Sequence, residues 1–209
     1  LRGMSYTARS EGDVPARLLS QVDLFETLRT ETQSYDPVRA ALFQARSLRL
    51  ALDAGEPVRI VRALCGAANA EALSGSPEAA RRVEELLARA GTLADRLGTD
   101  RERAFVLASR SVSAFMLGRP SDVLAPSYEA ERLSRANPAS EGHGDYYLRF
   151  NVVSARIGAL HALGQQRRCV AELSAAMQEA RATDNRAAQL ALMLNQTIVE
   201  EIQDRKSVV

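Results

Sequence analysis

Apolar residues recur every three or four positions along most of this chain, which is the spacing of one face of an α-helix. Three of these periodic segments open in the same way, at Asp36-Pro37, Glu56-Pro57 and Ser76-Pro77. Each pairs a polar residue suited to capping a helix with a proline suited to its first position. The pattern therefore predicts helices that begin at these three points.

Glycines mark the ends of the predicted helices, because glycine adopts the left-handed C-terminal conformation at little cost. The lead-in at 1–15 carries no helical pattern, and the longest predicted loop is Pro138 to Asp145. The structural turn residues are Gly55, Pro57, Gly75, Gly98, Gly118 and Gly164. The predicted helices are Leu18–Thr30, Pro37–Ala54, Pro57–Ser74, Pro77–Leu97, Asp100–Leu117, Ser121–Ala136, Tyr146–Leu163, Gln166–Ala182 and Asn185–Gln203.

The turns also repeat at a long period. Gly75, Gly118 and Gly164 fall 43 and 46 residues apart, and each follows a similar helix end. Short turns between helices of this length require antiparallel neighbours, and such a period indicates stacked hairpins. Leu117-Gly118 with Ala130 is similar to the tetratricopeptide pattern. We therefore predict an all-α fold of antiparallel hairpins stacked as a tetratricopeptide-like superhelical array over 16–203, with hairpins at about 36–75, 77–118, 121–164 and 166–203.

Four arginines stand out in the apolar sequence from Phe43 to Leu64. At 100° per residue, Arg46 and Arg49 share one stripe of their helix, and Arg59 and Arg62 share another. A thin polar stripe on a broadly apolar helix is typical of a helix that packs against neighbours on two sides and is exposed to solvent on the third. The favoured interpretation is this solvent-exposed edge. A phosphate-binding stripe and a site for an acidic partner remain alternatives.

Composition narrows the class of protein. The 209 residues are 46% hydrophobic and only 5% aromatic, which suits close-packed helices, and 27 basic against 26 acidic residues give a net charge of +1. This balance does not indicate a dedicated nucleic-acid binder. Apolar runs fall short of the roughly 20 residues of a membrane span. We expect no nucleic-acid partner, no membrane contact and a cytoplasmic location, where Cys65 and Cys169 are buried free thiols; a disulfide between them remains an alternative.

Candidate chemistry is sparse. The sequence lacks a phosphate-cradling glycine-rich loop, a His-Glu-x-x-His or paired Cys-x-x-Cys metal motif, and a Gly-x-Ser-x-Gly nucleophile elbow. His143-Gly144-Asp145 is interpreted as part of a loop. We therefore predict no catalytic residues, no metal site and no cofactor in this segment.

The stretch that contains the arginines carries a family resemblance. Phe43-Gln-Ala-Arg46-Ser-Leu48, Ala51-Leu-Asp-Ala-Gly-Glu-Pro57 and Arg59-Ile-Val-Arg62-Ala-Leu64 resemble the helical tail of large bacterial serine/threonine protein kinases of the myxobacterial and planctomycete type. In that family a kinase domain precedes an ATPase-like module and a tetratricopeptide-like array. The resemblance is clearest over residues 36–118 and implies a non-catalytic segment of an ATP-dependent kinase.

The expected function is interaction or regulation: the array would hold a protein or peptide partner, or other domains of its own chain. One alternative is the helical sensor array of a large ATP-dependent transcription activator; a less favoured one is a free-standing helical enzyme. The sequence begins at Leu1 and ends in Asp204-Arg-Lys-Ser-Val-Val209, which has no capping pattern. We expect a fragment whose residues 204–209 are a non-native, adapter-derived tail.

Overall fold

The computed structural model describes residues 4–33, 35–136 and 143–184, together with residues 186, 188, 189, 192, 193 and 195. These residues form helices and turns and contain no strand, so the predicted all-α class is confirmed for them. Short 3-10 helices lie at Glu11–Asp13 and Pro120–Asp122. The α-helices are α1 (Ala16–Thr32), α2 (Pro37–Ala54), α3 (Pro57–Ala72), α4 (Pro77–Leu97), α5 (Asp100–Met116), α6 (Leu124–Ala136), α7 (His143–Ala162) and α8 (Gln166–Ala182).

The three predicted helix starts are confirmed, each with a side-chain cap. The Asp36 carboxylate accepts a hydrogen bond from the Arg39 backbone N–H at 3.0 Å. The Ser76 hydroxyl accepts one from the Ala79 N–H at 3.1 Å. Glu56 accepts two, from the N–H groups that begin α3, and its side chain is buried. These caps satisfy N–H groups that have no partner within the helix.

The five predicted turn glycines all have positive φ, between 63° and 73°. At Gly118 (φ 69°) the chain reverses after α5, and the Arg119 N–H donates to the Ala114 carbonyl at 2.9 Å. This bond satisfies a carbonyl that the end of the helix leaves free. The turn requires a backbone conformation that side chains with a Cβ disfavour.

Alternate helices contact each other as well as their sequence neighbours. Helix α5 packs against both α3 and α7, the alternate helices before and after it in the chain. The most extensive neighbour packing joins α1 to α2, α3 to α4 and α5 to α6. The predicted hairpins grouped α2 with α3, α4 with α5 and α6 with α7, so the closest pairs are offset by one helix from that grouping.

The main core lies where α3, α4 and α5 meet. Ile60, Val61 and Leu87 are almost completely buried there, among alanines that let the helices approach closely. A second cluster joins α7 and α8 around Ile157 and Leu160. The alanine- and leucine-rich composition therefore reflects helix contacts rather than a single large aromatic core.

The structure departs from the prediction around the longest loop. Helix α7 already begins at His143, so the interpretation of His143-Gly144-Asp145 as loop is wrong. The loop residues 138–142 lie outside the described residues, as does the expected tail at 204–209. The predicted last helix, 185–203, is described only at single positions, and these are helical.

Candidate functional site

The two arginines of α2 lie at the surface. Arg49 is exposed, with its Nε 4.0 Å from the Asp53 carboxylate one turn later. Arg46 is also exposed, and its guanidinium carbon lies 5.7 Å from the centre of the Phe25 ring in α1. Arg62, in α3, is half-buried. Of these three arginines, only Arg46 and Arg49 are exposed cations. Two cations provide little charge for binding the phosphates of a nucleic acid.

Arg59 differs from the predicted exposed edge. Only 15% of its side chain is exposed, and its Nε and Nη2 each donate to a different Asp23 oxygen at 2.8 Å. Its Nη1 donates to Glu11 at 3.1 Å and to Glu56 at 3.2 Å. The hydrogen bonds that Arg59 donates to Asp23, above all, raise the pKa of this guanidinium. Arg59 thus joins the first 3-10 helix, α1 and the start of α3, which is a structural role.

A second polar cluster, which the sequence pattern does not predict, lies between α6, α7 and α8. The Arg156 guanidinium is buried, 2.8 Å from Glu131 and 2.6 Å from Glu172. It also lies 4.6 Å from the centre of the Tyr128 ring, and the Tyr128 hydroxyl bonds to Glu172 and to Arg168. Burial, then the Glu172 contact, raises the pKa of Tyr128. The one sequence feature that points to this cluster is the position of Arg156 inside the largely apolar segment from Val152 to Leu160.

The two cysteines are buried free thiols, as predicted, and they are not joined by a disulfide. Burial raises the pKa of Cys65, in the core of α3, from 9.0 to about 12. It also raises the pKa of Cys169 in α8. Both thiols therefore remain protonated at neutral pH, which makes them poor nucleophiles and metal ligands.

Exposed apolar side chains lie near the C-terminal ends of alternate helices. Leu73 follows α3, Phe115 and Met116 end α5, and Leu163 follows α7; each is more than a third exposed. Helix α5 packs against both α3 and α7, and each of these three helices has such a side chain at or just after its C-terminal end.

A cleft of roughly 270 Å³ opens where residues before α1 cross the α2–α3–α4 region. Its floor is apolar and continuous with the main core. Two arginines of α4 stand at its rim, and residues 4–6 form a wall. The lining residues are Met4, Tyr6, Leu52, Ile60, Leu64, Arg89, Thr92, Leu93 and Arg96. Of the surfaces described, this cleft combines a concave apolar floor with convergent charged groups, the combination typical of a binding site.

Within the described part of the chain, His, Cys, Asp and Glu side chains form no group of three that could hold a metal ion. None of the helices described there has an apolar stretch sufficient to cross a bilayer. Comparison with known proteins gave no further assignment: no protein-family model, no curated protein and no solved structure matches this chain.

Proposed function

We propose that this chain is a tetratricopeptide-like, non-catalytic segment of a bacterial serine/threonine protein kinase and that it binds proteins. The observation that carries the proposal is the packing of α5 against both α3 and α7. Contact between successive alternate helices is expected of a stacked array of hairpins. Such arrays present extended surfaces, and their usual role is to hold a peptide or another domain.

The repeated turns support the same proposal. Gly75, Gly118 and Gly164 all have positive φ and follow α3, α5 and α7, the helices that contact one another. A structural feature repeated every 43 and 46 residues is consistent with one hairpin unit per repeat. The exposed apolar side chains Leu73, Phe115 and Leu163 follow from this repetition and give these helix ends a surface suited to protein contact.

The charge distribution favours a protein partner over nucleic acid. Of the four arginines in the stretch that resembles the kinase tails, Arg59 is engaged by three carboxylates and Arg49 lies beside Asp53. Nucleic-acid binding depends on several cations free to contact phosphates. In the proposed setting the parent protein phosphorylates serine or threonine with ATP in the cytoplasm, and the array presents substrates or regulates the kinase without a cofactor of its own.

The test compares the parent kinase with a variant that lacks residues 16–203. With a folded protein substrate, we expect the deletion to change KM or kcat by about fivefold or more, since coupling between domains is typically of that size. With a short peptide substrate, which needs only the kinase domain, the rate should stay the same. Identical kinetics for both substrates in both proteins would contradict the proposal.

A further inference from the structure

The cleft beside α4 has a wall that is held in place by backbone contacts. The Arg9 N–H donates to the Gly55 carbonyl at 2.9 Å, at the turn between α2 and α3. The Thr7 carbonyl lies so close to Gly55 that a Cβ built there would be 2.0 Å from its oxygen. These contacts fix the segment that carries Met4 and Tyr6, two residues that line the cleft. The cleft is therefore formed before any partner arrives.

The floor of the cleft is apolar. Ile60 and Leu64 of α3 belong to the main core, and Leu93 of α4 and Leu52 of α2 complete the surface. A single leucine- or phenylalanine-sized side chain placed on this floor would bury apolar area without displacing any core residue. At roughly 270 Å³, the cleft is smaller than the pockets of about 300–1,000 Å³ that enclose small-molecule ligands. It is suited to one or two side chains of a segment that continues past it.

The rim supplies positive charge. Arg89 and Arg96 are both exposed, and within the part of the chain that is described neither takes part in an ion pair or side-chain hydrogen bond. No lining residue carries a negative charge. The two arginines are seven residues apart, which is two turns, or about 10 Å along α4. A segment in the polyproline II conformation covers about that distance in three residues and places residues i and i+3 on the same face.

We propose that this cleft binds an acidic peptide segment with two carboxylates about three residues apart, one for each arginine, and an apolar side chain between them on the floor. Guanidinium–carboxylate pairs provide the charge-assisted hydrogen bonds, and the floor provides apolar burial. This inference rests on the proposed protein-binding function and specifies where on the array a partner docks and what chemistry it brings.

The test uses fluorescence anisotropy at 0.15 M salt with a labelled peptide, Gly-Ser-Asp-Leu-Leu-Asp-Ser-Gly. A second peptide has asparagine in place of both aspartates, and a third has serine in place of both leucines. The protein is the full chain, as wild type, as Arg89→Gln/Arg96→Gln, and as Arg81→Gln. Arg81 is a matched control because it is exposed on the same helix but does not line the cleft. Circular dichroism verifies that all three proteins fold.

We expect saturable binding of the acidic apolar peptide with a dissociation constant below about 100 µM, in the range of weak, specific contacts. The double variant and both altered peptides should each weaken binding by about tenfold or more, whereas Arg81→Gln should have no effect. Absence of binding, equal binding of the asparagine peptide, or unchanged binding by the double variant would overturn the proposal. Displacement of the labelled peptide by octanoate at equal affinity would overturn it in favour of a small-carboxylate site. The proposed function is tested separately. If deletion of residues 16–203 changes the kinetics of the parent kinase but the same double substitution in the parent leaves them unchanged, the cleft proposal fails and the proposed function stands.

Discussion

The ring of Phe115 in α5 lies directly over Gly158 in α7: a Cβ built on Gly158 would be 2.6 Å from the Cε2 and Cζ atoms of that ring. Phe115 is nevertheless 42% exposed. Gly158 thus allows α7 to approach α5 closely enough for the aromatic ring to cover its backbone. This contact links two alternate helices, whose packing is the basis of the proposed array.

Gly158→Ala tests that contact, and Gly91→Ala is its matched control in the interior of α4. A Cβ on Gly91 would be 3.9 Å from Val106, an ordinary contact, so alanine there should stabilise the protein by about 0.5–1 kcal/mol. Gly158→Ala forces the Phe115 ring to move outward. In urea denaturation, we expect it to be at least about 1 kcal/mol less stable than Gly91→Ala. An equal gain in stability from both substitutions would contradict a close contact between Phe115 and Gly158.

The turn after α5 gives a second prediction. Gly118 has φ 69° and Gly12 does not have positive φ, yet a Cβ on either residue would meet no atom within 4 Å. Alanine should therefore cost about 1 kcal/mol or more at Gly118, from backbone strain alone, and almost nothing at Gly12. Thermal melting followed by circular dichroism measures both. A Gly118→Ala protein that melts at the same temperature as Gly12→Ala would show that the turn tolerates a side chain.

Features that depend on a few adjacent residues could be predicted from the sequence. Asp36 and Ser76 cap their helices as expected because a cap requires only the next three residues. The turn glycines were found for the same reason. The beginning of α7 at His143 differs from the prediction, because Gly144 favours a loop only weakly: its cost inside a helix is about 1 kcal/mol.

Features that depend on distant residues could not be predicted. Arg59 has the spacing of a surface stripe, but its partners Asp23 and Glu11 lie 36 and 48 residues away. The Arg156 cluster likewise joins three helices. The cleft brings Met4 next to α4, whose Arg96 lies far along the chain from it. Periodicity shows which residues share a helix face, but it does not identify the residues that face them.

Arg59 and Arg49 should therefore differ in their effect on stability. Arg59→Gln removes hydrogen bonds to three carboxylates, one of them buried, and should reduce the free energy of unfolding by about 2 kcal/mol. Arg49→Gln removes one exposed, distant pair and should change it by less than about 0.5 kcal/mol. Unfolding in guanidinium chloride measures the difference in stability between the two variants, provided that their free energies of unfolding depend equally on denaturant concentration. Equal losses of stability in the two variants would mean that Arg59 lies at the solvent-exposed edge, as the sequence predicted.

The buried thiol of Cys65 predicts a loss of stability at high pH. Its pKa is raised from 9.0 to about 12, so above pH 9 the unfolded chain loses this proton while the folded protein retains it. Stability then falls with pH, by up to about 1.4 kcal/mol per unit for this one group. Denaturation of the wild type and Cys65→Ala from pH 8 to pH 10.5 should show the steeper fall in the wild type. Parallel curves would mean that Cys65 reaches solvent in the folded state.

The central claim, that this helical array serves a serine/threonine kinase, is tested most directly by sequencing the encoding gene on both sides of the segment from Leu1 to Gln203. The account predicts that the reading frame continues upstream into a kinase domain with its glycine-rich loop and a catalytic His-Arg-Asp motif. A helix-turn-helix domain downstream, with no kinase domain upstream, would contradict it and assign the array to a transcription activator.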